Sequence, residues 1–158
     1  MELPQKLDLV VVIVANLLNL ILSLIFLNRV FGRMEWEHGL GYGTLIMIVP
    51  LTIVALTNLV RERGWAFWLL PLVMVVFLIV EFVLDYWLKF NFRRTAWLGP
   101  YLLVYYLALF AMIGYAFMAG KSYGFITLIT YFINLAATFF SYARVGHGAY
   151  RRKNEHTK

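Results

Sequence analysis

The chain contains no cysteine, which excludes disulfide frameworks, thiolate metal sites, iron–sulfur clusters and cysteine nucleophiles by inventory. Histidine is nearly as scarce. His38, His147 and His156 are the only three; none lies in an apolar stretch, and no pair has the i, i+4 spacing with which one helix face grips a metal. No metal centre and no cofactor is expected from such a set. Charge is the third shortage: 14% of the 158 residues are charged against 63% hydrophobic, and mean hydropathy is +0.78, where a soluble domain is about a quarter charged. So few charges cannot cover a water-facing surface, and lipid is the expected solvent for most of the chain.

What is present is organised in long apolar runs. A hydrocarbon core of about 30 Å needs about 20 apolar residues per helix, and five runs meet that length: Leu9 to Leu27, Leu40 to Val60, Trp65 to Leu88, Trp97 to Ala119 and Tyr123 to Ala143. Barrel strands would show about ten residues of alternating polarity instead. The first apolar stretch, counted from just after Lys6, passes twenty residues with no small-x-small cleavage pattern before Arg29, and is expected to be a retained span, not a signal peptide. Trp65 and Trp68 begin the third run and Trp87 ends it, as an aromatic belt at both faces would.

These runs predict an all-α integral membrane bundle of five transmembrane helices, up-and-down, with residues 1–143 as one domain and 144–158 as a basic cytoplasmic tail. Five spans place ten lysines and arginines on the side of the carboxyl terminus and four on the other, which predicts an N-out, C-in protein of the cell membrane, multi-pass. The same asymmetry accounts for the net charge of +6. Arg151, Arg152 and Lys153 read as a topology signal and an anionic-lipid contact, and nucleic acid is not an expected partner. Membrane lipids are, together with further copies of the chain or a larger membrane complex.

Polar residues inside such runs need a reason. Glu81 and Asp85 are the only carboxylates within the five runs as bounded above, and a charge near the centre of a membrane helix costs a few kcal/mol. On a regular α-helix they share one face, which Lys89 continues. Arg29 and, second, Arg144 are the expected ion partners of Glu81 from neighbouring helix ends. In the functional reading, Glu81 takes up and releases a proton or a cation.

At about the same depth, helical spacing gathers Asn16, Asn19 and Ser23 on the first run, and Thr127, Thr130, Asn134, Thr138 and Ser141 on the fifth, with Tyr101 and Tyr105 one turn apart on the fourth. Asn and Thr also join packed membrane helices without binding anything. The ion, proton or ligand candidates are therefore Glu81, Asp85, Asn19, Tyr105, Asn134 and Arg29, and the lipid-headgroup candidates Arg33, Arg93 and Arg94. Pro50 and Pro71, both inside runs, are expected to kink their helices and to free a carbonyl that another donor must satisfy.

Two motif-like stretches fail. Gly114 to Ser122 has five residues between its glycines where a phosphate loop has four, and no strand precedes it. Glu35, Glu37 and His38 supply too few oxygen ligands for a metal cage. No catalytic residue is assigned. The expected function is a small oligomeric transporter or channel using an intramembrane carboxylate, with an accessory or scaffold subunit and a lipid-binding or lipid-modifying protein as the alternatives.

Overall fold

The computed structural model describes residues 2–33, 35–88 and 95–145, and all regular structure among them is helical. The elements are α1 (Leu3–Val30), α2 (Glu35–Ile46), α3 (Ile48–Val60), α4 (Trp65–Glu81), a π-helical segment (Phe82–Trp87) that continues α4, α5 (Leu98–Ala119) and α6 (Lys121–Val145). Among the described residues, five stretches are long and apolar enough to cross a membrane: Leu3–Val30, Gly39–Val60, Trp65–Trp87, Leu98–Ala119 and Lys121–Arg144.

The first span starts earlier than its apolar run. Pro4 sits in the first turn, where its missing N–H is not needed, and the Gln5 side chain accepts the Glu2 amide at 3.2 Å. Helix therefore extends back through Lys6 and Asp8, which corrects the expectation that Glu81 and Asp85 are the only carboxylates within a span. At its other end Gly32, at φ +68°, turns the chain so that the Arg33 amide reaches Asn28 O at 2.9 Å, the geometry of a Schellman stop.

The two internal prolines act differently. Pro50 has no N–H to give to the Ile46 carbonyl, and the second span breaks at Met47, whose amide takes the tighter bond to Thr44 O at 3.1 Å. The helix restarts at Ile48, so Pro50 falls in a first turn. Helix also precedes the second apolar run, since α2 begins at Glu35. Pro71 stays inside α4. The carbonyl it frees, four residues earlier at Phe67, accepts the Asn58 amide Nδ2 at 3.0 Å.

α1 is the most enclosed span and packs against α6, α2, α5 and α3, while α3 lies on α4, α4 on α5 and α5 on α6. Leu18, Leu51, Phe77, Met112 and Tyr115 meet in the core. The opposite faces are apolar as well: Ile13, Leu17, Leu20 and Leu24 form an exposed stripe along α1, as a helix bordered by both protein and lipid requires. Between α5 and α6 the Phe117 ring occupies the space that a Cβ at Gly124 would need.

Candidate functional site

Among the described residues, the interior polar groups fall into three clusters along the bundle. The first lies at the carboxyl end of α1. There Arg29, Glu81, Tyr101, Tyr105, Thr138 and Tyr142 line a pocket of about 40 Å³, with Leu22, Ile25, Phe26, Leu98 and Leu102 as its apolar wall. That is room for about two or three waters, far less than a lipid headgroup. Glu81 is half-buried at the last turn of α4. Phe77, one turn earlier, packs its ring 5.3 Å from that of Tyr105 and 5.8 Å from that of Tyr101. The Asn134 amide donates to Tyr105 Oη at 2.9 Å.

The second cluster is a seam between α1 and α6 near the middle of both helices. Asn16 donates to Thr127 Oγ1 at 3.1 Å and Asn19 to Thr130 Oγ1 at 3.0 Å, while Thr130 donates back to Asn16 Oδ1 at 2.8 Å. Residue numbers rise together on the two helices, which therefore run in the same direction. These four residues belong to the period-3.6 polar stripes of the first and fifth runs.

The third cluster closes the other end of the bundle. Arg63, just beyond α3, grips Asp8 of α1 with both guanidinium arms, Nη1 to Oδ1 at 2.9 Å and Nη2 to Oδ2 at 3.1 Å. Tyr115 of α5 donates to the same Oδ1 at 2.7 Å, and Asn58 Oδ1 accepts from Arg63 at 3.2 Å. The guanidinium also lies 3.9 Å above the centre of the Phe67 ring. The hydrogen bond to Asp8 raises the Arg63 pKa above its ordinary value against the opposing effect of partial burial. Arg63 is aimed inward by the preceding turn, in which Glu62 adopts φ +53° and the Arg63 amide bonds Asn58 O at 3.0 Å.

Of the residues singled out in the sequence, Glu81, Tyr105 and Arg29 line one pocket, Asn134 is hydrogen-bonded to it through Tyr105, and Asn19 lies in the adjoining seam. Asp85 is not among the pocket's lining residues. The α-helical face that would have carried it on from Glu81 ends at Phe82, where the ladder widens to the i→i−5 pattern seen in Leu88 N to Val83 O at 2.8 Å. Tyr86 of that segment packs its hydroxyl onto Gly41 and its ring 4.9 Å from that of Tyr42, fixing the segment to α2. Arg144 lies over Phe140, 5.4 Å from the ring centre. Arg33 is exposed beyond α1. Lys89, Arg93, Arg94, His147, His156 and the tail from residue 146 lie outside the described residues, as do the side chains of Glu35, Glu37 and His38.

The Asp8, Asn58, Arg63 and Tyr115 cluster was not anticipated. Two signals in the sequence bear on it: Pro4 and Gln5 extend the first helix over Asp8, and Pro71 demands a donor for a freed carbonyl.

Five helices of crossing length, apolar on their outer faces and polar in selected interior seams, are the construction of a multi-pass integral membrane protein. No family model matches the chain, and neither a curated protein nor a solved structure matches it.

Proposed function

We propose that the protein is a small transporter or channel for a proton or a monovalent cation, with Glu81 as the carboxylate that takes up and releases the ion. The observation that carries this reading is the pocket that gathers Glu81 with Arg29, Tyr101, Tyr105, Thr138 and Tyr142. Its volume suits water and small ions, and the Tyr105–Asn134 hydrogen bond joins it to the polar seam of α1 and α6. Toward the opposite end Val11, Ala15 and Met112 are buried between the seam and the Asp8 cluster, a dry barrier such as a gated path needs. In proteoliposomes, Glu81→Gln is expected to abolish ion flux while leaving the protein folded; unchanged flux in that variant refutes the reading.

The membrane arrangement belongs to the same proposal: up-and-down, N-out and C-in, in the cell membrane. The native chain has no cysteine, so single cysteines report without background. A cysteine in the 144–158 tail is expected to resist an impermeant thiol reagent in intact cells and to react after permeabilisation. Labelling from outside overturns the orientation.

A second reading, an accessory subunit, is favoured by one observation. The second and third spans bury 28% of their apolar windows within the chain against 50% for the first, which leaves apolar faces on α2, α3 and α4 for another copy or a partner. That reading expects stable co-purification and no flux.

A further inference from the structure

The polar cluster at the end of the bundle away from Glu81 joins three elements through charge. Arg63, on the turn after α3, reaches Asp8 of α1 with both arms at 2.9 and 3.1 Å, and Tyr115 of α5 donates to the same carboxylate at 2.7 Å. An enclosed ion pair adds little stability over apolar packing of the same volume, yet leaving one of its charges without the other is costly. Such a contact favours two discrete states. Closed, each charge is the partner of the other; parted, each needs water, and at side-chain exposures of 20% and 13% both stand near enough to the surface to obtain it.

The turn that carries Arg63 is itself strained. Glu62 adopts φ +53°, a left-handed conformation unfavourable to a residue with a side chain, and both Arg61 and Glu62 are exposed. Two anchors hold the turn in that form: the Arg63 amide on Asn58 O at 3.0 Å and the Arg63 guanidinium on Asp8. Strain held by a few contacts is what a switching segment stores.

Arg63 also occupies a position built for a cation. Its Nη1 lies 2.9 Å from Asp8 Oδ1 and 3.2 Å from Asn58 Oδ1, and the guanidinium stands 3.9 Å over the centre of the Phe67 ring. Behind it Val11 and Met112 are buried and apolar. We propose that the contact of Arg63 with Asp8 is a gate at the end of the path opposite Glu81, in which Arg63 is a tethered plug that an entering proton or monovalent cation displaces from Asp8. The gate rests on the reading of Glu81 as the ion-handling carboxylate and adds a second carboxylate to the same path. Its opening is read without flux, so the two claims fail separately.

The test uses the full chain in nanodiscs with Val11→Cys, a fully buried position about one turn behind Asp8 on α1, and a water-soluble thiol reagent. The native chain has no cysteine, so this one alone reports. Labelling is expected to be slow with the contact intact and about tenfold faster when Asp8→Asn or Arg63→Gln removes one charge. Met74→Ala, which loosens the core on α4 without touching the contact, is expected to leave labelling slow at a comparable loss of Tm. Equal rates in all four proteins, or equal acceleration by Met74→Ala, overturn the gate and leave a structural clasp.

A second arm needs no loss of either anchor point. In proteoliposomes, Asp8→Cys with Arg63→Cys, joined by a short bifunctional thiosulfonate, is expected to lose flux and to regain it when a reductant removes the bridge. Glu81-dependent flux that the bridge does not change leaves the function standing and removes the gate. Labelling that responds to the two charges alone, with flux absent or indifferent to Glu81, does the reverse.

Discussion

Arg63→Ala is expected to lower the stability of the protein by about 2–3 kcal/mol, and Asp8→Ala by a similar amount. Exposed ion pairs contribute about 0.2–1 kcal/mol, whereas removing one partner of a fully buried pair costs about 3–5 kcal/mol. This pair stands between those cases, with side-chain exposures of 20% for Arg63 and 13% for Asp8. Its geometry places it toward the stronger end, since both arms are engaged and Asp8 Oδ1 also receives the Tyr115 hydroxyl. Asp8→Ala leaves the guanidinium held only by Asn58 and the Phe67 ring; Arg63→Ala leaves a carboxylate on a membrane helix with one hydroxyl donor. The double variant is therefore expected to cost less than the sum, with a coupling of about 1–2 kcal/mol in unfolding measured in bilayer-like discs. Arg63→Lys is expected to recover only part of the loss, because an ammonium cannot reproduce the two-armed grip. Additive losses would show that the cluster does not tie α1 to the α3–α4 turn and α5.

Asn58→Ala is expected to cost about 2–3 kcal/mol, an unusual amount for one neutral polar side chain. Asn58 is fully buried at 0% exposure, and it serves two groups at once: it satisfies the Phe67 carbonyl released by Pro71, and it accepts from Arg63. A buried carbonyl left without a donor bears its whole desolvation cost, and hydrocarbon offers no water in exchange. The dependence on Pro71 makes the explanation specific. In Pro71→Ala the backbone amide of residue 71 can close on Phe67 O, so the same Asn58→Ala change is expected to cost about 1 kcal/mol less. Equal costs in the two backgrounds would mean that the Asn58 amide does not stand in for the bond the proline removes.

The five spans are legible in the sequence because lipid imposes one demand, about twenty apolar residues in a row, and the chain meets it five times. The helix ends are not, because hydropathy reports contact with lipid and helix continues beyond it. Asp8 interrupts the apolar run and leaves α1 intact. The break at Met47 follows from Pro50, but its position three residues earlier reflects where the new first turn can accept the ring. The π-helical segment carries no local signal: Phe82 to Trp87 is apolar in the same manner as the turns before it, apart from Asp85.

The candidate site divides in the same way. Asn16, Asn19, Thr127, Thr130 and Asn134 are visible as stripes because one helix face repeats every 3.6 residues. That Glu81, Arg29 and Tyr105 share a pocket requires the packing of α1, α4 and α5, although side and depth in the sequence place them close to one another. The Asp8 cluster joins residues 55 and 107 positions apart, and no periodicity relates them. Arg63 reads in the sequence as one of four basic residues that set orientation, and in the structure it is the hub of a polar lock.

Ion flux in proteoliposomes carrying the unaltered chain or Glu81→Gln, each first checked for folding, tests the central claim most directly. Flux in the unaltered protein that vanishes in Glu81→Gln is the predicted result; flux that persists in the variant, or its absence from the folded unaltered protein, contradicts the account.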